Sequence, residues 1–339
     1  MKVSGRYGAG ALADVPAEVA RAERLGYDAI VTSEVRYEAT MRWTMAAHAS
    51  HSAEVGTSVL IAFPRSPFVI AQMAWELQQA TGGRVMVGLG TQVKGHNERR
   101  FSTGEWSAPA TRMEEYIRAM RAAWDTFQNG TRPDFEGRFY RFSLCPPAFN
   151  MGPIDYPPPK VFLAAVGPAM TRVAGRVADG LILHGFTTER YVRSVTLPNL
   201  AEGARQAGRD VSEVEVTVGG LLALGATEED VEAKLVELRQ PVSFYGSTRT
   251  YMGVFAAHGL EDLGRELHEL SVRGEWERMV DAVPLDVVRE FVVAGTYDTL
   301  PDAIGARRDY ASRVAIDVQT ATGAEEARLA DLIRRIQAA

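Results

Sequence analysis

Short apolar runs alternate along this chain with stretches whose apolar positions recur every three or four residues. That pattern predicts parallel strands joined by crossover helices. Strands are expected at 3–7, 28–32, 55–61, 84–88, 160–164, 180–183, 213–221 and 313–318. The first helix opens near Pro16 with Glu18 in its first turn. It keeps Val15, Val19, Ala22 and Leu25 on one face and stops at Gly26. Further helices follow around 44–51 and 68–79, and a longer one near 111–127 carries Met113, Ile117, Met120 and Trp124 at helical spacing. Thr227-Glu228-Glu229-Asp230 resembles a capping box, and Leu329, Leu332, Ile333 and Ile336 share one face of the final helix. Eight strands with intervening helices predict a closed (β/α)8 TIM barrel whose active site lies at the carboxyl ends of the strands.

Two segments break the repeat. Residues 129–159 contain Pro133, Pro146, Pro147, Pro153, Pro157, Pro158 and Pro159 and are expected to form loops or a short hairpin. Residues 239–312, between the seventh and eighth strands, read as mostly helical. Both are expected to be insertions on one barrel domain spanning 1–339. Tyr245, Tyr251 and Phe244 give the second insertion aromatic surface, and it is expected to cover the mouth near His184 and Phe186.

Composition narrows the chemistry. With 46% apolar and 24% charged residues the chain is an ordinary globular protein, and a net charge of −6 argues against nucleic acid or an anionic membrane as partner. No apolar run approaches a membrane span, and no apolar h-region follows Met1-Lys2-Val3, so a cytoplasmic protein is expected. The single cysteine, Cys145, excludes an intramolecular disulfide and any cysteine-based metal site. No nucleotide-binding G-x-x-x-x-G-K loop and no G-x-S-x-G elbow occur, and Gly88-Leu89-Gly90 lacks the third glycine of a dinucleotide fingerprint. His48 and His51 have no carboxylate partner and read as a packed or solvated pair, so no metal is expected.

The polar residues at the strand ends carry the candidate chemistry. They are Ser33-Glu34-Val35-Arg36-Tyr37-Glu38 after the second strand, Gly90-Thr91-Gln92 with Lys94 and His96 after the fourth, and His184 after the sixth. Strand five runs into Ala164-Ala165-Val166-Gly167-Pro168 directly before a helix. Small residues there let a ligand approach the backbone, and free N–H groups at a helix start bind anions, so a phosphate site is expected.

At this point the chain resembles a known family, the bacterial-luciferase-like superfamily, in its branch dependent on the deazaflavin coenzyme F420. The likeness is carried by Ala22-Glu23-Arg24-Leu25-Gly26-Tyr27-Asp28, Gly56-Thr57-Ser58-Val59-Leu60 and Gly83-Arg84-Val85-Met86-Val87-Gly88-Leu89-Gly90-Thr91. It continues through Arg112-Met113-Glu114-Glu115-Tyr116, Phe135-Glu136-Gly137-Arg138-Phe139-Tyr140 and Ala164-Ala165-Val166-Gly167-Pro168 to Ala178-Asp179-Gly180, and so spans nearly the whole chain. The resemblance implies a deazaflavin or flavin across the barrel mouth and a non-prolyl cis peptide at Ser58–Val59. It implies ring contacts from Glu34 and Gly90-Thr91-Gln92 and phosphate contacts from the N–H groups of Val166 and Gly167. Homodimers or larger homo-oligomers are implied as well. Sugar-phosphate-oxidising members carry an acidic pair, a histidine and a lysine that correspond here to Val35 beside Glu34, to Val93, and to Thr187 or Thr188. Glucose 6-phosphate is therefore not expected as substrate.

The function expected from this resemblance is hydride transfer between F420 and a small organic molecule, with His184 and Glu34 as acid/base candidates. His184 is expected to titrate near neutral pH. Tyr37, His96, Phe186 and Tyr245 are expected to line the substrate pocket. The alternatives are a flavin mononucleotide (FMN) monooxygenase and a cofactor-binding relative without catalysis. Lys94, Arg99, Arg100, Arg172 and Arg176 are the cations an acidic cofactor tail is expected to meet.

Overall fold

The computed structural model describes residues 1–316 and 323–338. Its strands, in chain order, are β1 (Lys2–Arg6), β2 (Ala29–Thr32), β3 (Glu54–Thr57), β4 (Leu60–Ile61) and β5 (Val85–Gly90). They continue with β6 (Phe135–Glu136), β7 (Arg141–Phe142), β8 (Lys160–Ala165), β9 (Gly180–Leu183), β10 (Glu215–Val218), β11 (Leu221–Gly225), β12 (Val292–Thr296) and β13 (Arg313–Ala315). The main sheet is parallel and runs β3-β2-β1-β13-β10-β9-β8-β5-β4, and β3 also pairs with β5. That extra pairing closes the sheet, because β3 and β4 are two halves of one barrel position. The expected (β/α)8 barrel is the observed fold. Asp317 and Val318, read as the end of the eighth strand, lie outside the described residues.

Helices wrap the barrel as their patterns predict. Val15–Leu25 ends on Gly26 in the left-handed region (φ 89°), a conformation that favours glycine. Thr227 forms the capping box that opens Glu228–Glu237. Leu329, Leu332, Ile333 and Ile336 of the last helix are all buried. The main core lies between strands and helices, whereas a small separate cluster of Val31, Met86, Phe162 and Ile182 fills the barrel interior. At the amino end, Arg313 (1% exposed) bonds Glu54 at 2.6 Å and lies 3.4 Å from Glu215, and Lys2 and Lys160 pair with these same carboxylates. Charge alternation therefore seals the end opposite the mouth.

The seventh strand departs from its expected bounds. Glu213–Leu221 was read as one run, but β10 ends at Val218, and after Gly219-Gly220 the chain leaves the barrel as β11. β11 pairs with β12, a strand inside the segment read as mostly helical, in a sheet of its own. The alternation of 292–296 is too short to stand out among flanking helical periods. Helices Arg239–Gly246, Glu261–Arg273 and Leu285–Phe291 pack with this pair around Leu235, Val242, Phe255, Leu267 and Val288. The proline-rich segment contains the short antiparallel hairpin β6–β7.

Closure of the barrel requires glycine at the seam. A Cβ on Gly88 would sit 1.9 Å from the Thr57 carbonyl oxygen, and one on Gly56 would sit 2.4 Å from that of Met86. Thr57 fastens the seam, its hydroxyl donating to Gly88 O at 2.7 Å and accepting from Gly88 N at 3.1 Å. Gly167, after β8, faces open space instead. We expect Gly88→Ala to lower the unfolding free energy in urea titration by roughly 3 kcal/mol. Gly167→Ala should stay within about 0.5 kcal/mol of the parent.

Candidate active site

Side-chain alternation along the strands decides what the mouth contains. Ile182 belongs to the interior cluster, so two residues further on His184 continues the same face. The interior positions around it are small: Ala164 on β8 and Gly90 on β5 at the level of Ile182, and Gly219 and Ala315 at the level of His184. Val59 and Ala164 lie half-buried on top of Phe162 and Met86. The interior thus ends in an apolar floor formed by half-buried Val59 and Ala164.

The Ser58–Val59 peptide is cis, as the resemblance implied, and it separates β3 from β4. Gly90 makes room for it, since a Cβ there would come 2.6 Å from Val59 Cγ2. Glu34 holds the break from both sides. Its backbone N–H donates to Val59 O at 3.1 Å, and its buried carboxylate accepts from Ile61 N at 2.9 Å. Both carboxylate oxygens also accept from Arg65, at 2.9 and 2.7 Å. Arg65 donates further to Ile61 O and to Glu38. This carboxylate is a fixed fork-to-fork partner that ties the turn after β2 to Ile61 and Arg65.

The turn after β5 is pinned by Asn97, a residue the sequence reading did not single out. Fully buried, it donates to Thr91 O at 2.8 Å and Val93 O at 3.1 Å, while Gln92 takes a positive φ of 58°. An asparagine just behind a tight turn was the available signal. At the end of β8, Tyr191 Oη donates to Val166 O at 3.1 Å, and Thr171 bonds Gly167 O through both its N–H and its hydroxyl. Since the peptide is planar and trans, the Gly167 N–H points opposite to the Val166 carbonyl that Tyr191 holds. Gly167 caps helix Pro168–Val177.

His184 is held at both nitrogens. The Phe186 backbone N–H donates to Nδ1 at 2.9 Å, and Nε2 lies 3.1 Å from Tyr251 Oη. A backbone N–H can only donate, so Nδ1 carries the lone pair and Nε2 the proton. His184 therefore donates to the Tyr251 oxygen, and the Tyr251 hydroxyl proton is directed elsewhere. The imidazole is stacked on Tyr251 (4.6 Å, 26°) and meets Tyr245 edge-on at 5.0 Å. Burial pushes its pKa down to about 4. The expectation that His184 titrates near neutral pH is corrected: desolvation and the Phe186 N–H both disfavour its charged form. Burial also pushes the Tyr251 phenol up to about 12.

Residues 1–313 match the sequence pattern described as luciferase-like monooxygenase. The chain belongs to the luciferase-like monooxygenase family. An uncharacterized protein of Mycobacterium tuberculosis is 40% identical over 300 residues, 86% of this chain and 88% of that one. Phthiodiolone/phenolphthiodiolone dimycocerosates ketoreductase of M. tuberculosis is 29% identical over 317 residues, 89% of this chain and 80% of the enzyme. Among solved structures, coenzyme F420 dependent tetrahydromethanopterin reductase from Methanopyrus kandleri superposes with a TM-score of 0.77 at 17% identity, covering 99% of this chain and 98% of that one. The oxygenating constituent of 3,6-diketocamphane monooxygenase from Pseudomonas putida, in complex with FMN, gives 0.65 at 16% identity with 99% and 96% coverage. At such identities the structures share the fold.

The remaining expected site residues of this luciferase-like chain are spread widely. Tyr245 joins His184. Phe186 is fully buried and stacked on Phe291 at 4.4 Å, so it anchors the segment 239–312 and presents no surface to a ligand. Tyr37 lies exposed on the rim under the Arg42 guanidinium (4.2 Å), and His96 is exposed on helix Lys94–Arg99. Four of the five cations expected near an acidic tail have partners of their own: Arg172 with Asn199, Arg176 with Glu114, Arg100 with Val35 O and Lys94 with Glu98. Among the described residues no group of metal-ligating side chains occurs, and no helix is long and apolar enough to cross a membrane.

The neutral tautomer has a measurable consequence. Between about 6.5 and about 4 the unfolded chain binds a proton at this histidine that the folded chain refuses, so the stability it contributes is lost as pH falls through that window. The gap corresponds to at most about 3 kcal/mol. His184→Gln should flatten this part of the stability–pH curve, and nitrogen NMR of the parent should show an Nε2–H imidazole unchanged from pH 8 to 5.5.

Proposed function

We propose that this protein is an F420-dependent oxidoreductase that moves a hydride between the deazaflavin and a small organic carbonyl or alcohol. The observation that carries the reading is the shape of the mouth. An apolar floor of Val59, Ala164 and Gly90 lies beside an open glycine-capped helix start at Gly167. A flat tricyclic ring fits the first and a phosphate the second. The name of the mycobacterial ketoreductase relative, a carbonyl reduction, supports hydride chemistry over oxygen insertion.

Bound there, the deazaflavin would supply or accept the hydride. The protein's own part is to hold a substrate oxygen near Tyr251 and to give that oxygen a proton. Tyr251 is suited to it, because His184 donates to its oxygen and leaves its own O–H free to donate. The same His184 N–H stabilises the phenolate left behind, which recovers its proton from water. Glu34, with Arg65, keeps the floor in place. Since neither His184 nor Tyr251 titrates near neutrality, turnover should be nearly flat from pH 6 to 9.

The second reading, an FMN monooxygenase, is favoured by the FMN complex on the same fold. Titration of the purified protein with both cofactors separates the two. We expect F420 to bind at least tenfold more tightly than FMN, with binding that weakens as salt rises; the reverse order selects the monooxygenase. Tyr251→Phe should lower turnover about a hundredfold while the F420 dissociation constant stays within about twofold. Binding of F420 without turnover of any carbonyl or alcohol would select the non-catalytic alternative.

A further inference from the structure

The chain from Glu189 to Gln206 is one helical run, with a π-turn at Val192–Thr196 between Glu189–Tyr191 and Leu197–Gln206. Pro198 breaks the regular pattern there, since it has no N–H for the carbonyl four residues back. Beyond the turn the helix cannot rotate. A Cβ on Gly203 would lie 2.1 Å from Arg172 O, and one on Gly175 would lie 2.2 Å from Leu200 O. Leu197–Gln206 is thereby locked against Pro168–Val177, the helix that Gly167 caps. The extra residue of the π-turn rotates the leading end by about 100° relative to that locked register. Tyr191, the last residue before the turn, is buried (4% exposed) and donates through Oη to Val166 O at 3.1 Å.

The same leading end is tied to the segment 239–312. Thr188 Oγ1 accepts from Tyr191 N at 3.2 Å and lies 2.7 Å from His258 Nε2. The His258 side chain is 5% exposed, and its Nδ1 lies 3.7 Å from Glu290. Arg190 Nη1 donates to Ala257 O at 3.5 Å, and a Cβ on Gly253 would lie 3.6 Å from Tyr191 Oη. Thr188 and Glu290 also line a cleft beside the mouth, between β9, β10, β13 and the β11–β12 pair. His258, Thr188 and Tyr191 thus form a continuous line from the segment to the Val166–Gly167 peptide.

We propose that Tyr191 is a positioning residue for the cofactor's phosphate, and that Thr188 and His258 transmit to it the seating of the segment 239–312. Because a peptide is planar, fixing the Val166 carbonyl fixes the direction of the Gly167 N–H on its opposite side. A hydrogen bond accepted by that carbonyl also polarises the peptide and strengthens its N–H as a donor to an anion. The segment that carries Tyr251 to His184 therefore also sets the phosphate end of the cradle. This role rests on the reading of Gly167 as the phosphate site.

The test compares ligands with and without a phosphate, titrated into the full chain: FMN against riboflavin, and F420 against its phosphate-free ribityl core. Tyr191→Phe should lower the preference for the phosphate-bearing ligand about tenfold, while affinity for the phosphate-free ring stays within about twofold. Thr188→Val and His258→Leu should each lower that preference about threefold, and Thr188→Ser should retain it. Affinity lost equally by both members of a pair reports general damage to the barrel and overturns the positioning role. A preference unchanged in Thr188→Val and His258→Leu, but lowered in Tyr191→Phe, overturns the link to the segment. If the parent protein prefers the phosphate-bearing ligand and Tyr191→Phe leaves that preference intact, the proposal falls and the phosphate reading stands. If the parent shows no such preference, the phosphate reading of Gly167 is the one that fails, and the proposal falls with it.

Discussion

The seam between β3 and β5 is where the barrel either closes or fails, and it closes because two backbones approach with no side chain between them. Gly88 lies against the Thr57 carbonyl and Gly56 against that of Met86, and the Thr57 hydroxyl bonds both polar groups of Gly88. Immediately beyond that contact the strand breaks at Ser58–Val59, and Val59 settles over Gly90. The floor of the mouth is therefore a direct continuation of the closure. Gly56 and Gly88 let the sheet meet itself, and Gly90 makes room for Val59 in the floor.

Around this floor the structure places groups that are fixed rather than adaptable. Glu34 spends both carboxylate oxygens on Arg65 and the Ile61 N–H, and His184 spends both nitrogens on Phe186 N–H and Tyr251. Preorganisation of this kind removes the reorganisation a freely solvated group would undergo. It also keeps the histidine neutral, since a buried imidazole with its lone pair already engaged resists becoming a cation.

The segment 239–312 borders both the mouth and the cleft beside it. Its core is anchored on Phe186, two residues past His184, and its aromatic residues Tyr245 and Tyr251 reach back over the histidine. The β11–β12 pair, which starts where Gly219-Gly220 releases the chain from the barrel, forms one wall of that cleft. One excursion of the chain thus supplies both the tyrosines over His184 and one wall of the cleft beside the barrel.

Periodicity and punctuation in the sequence determined the barrel, because each strand and helix buries one predictable face and Gly26, Pro168 and the Thr227 capping box mark ends by local chemistry alone. The rim residues Glu34, Gly90, Gly167 and His184 were legible for the same reason: in this fold, the residue after a strand is at the mouth. The cis bond at Ser58–Val59 was visible only through family resemblance, as nothing in its local propensity requests it. Only the tertiary structure decided the rest. β12 and Asn97 depend on partners far along the chain or across a turn, and Phe186 turned inward because the 239–312 core closes on it. The protonation of His184 depended on a backbone N–H, a remote tyrosine and burial, none of which is a property of the residue itself. Sequence patterns record which face of an element is apolar; they carry no record of which distant groups meet there, and pKa, tautomer and cavity shape are all consequences of that meeting.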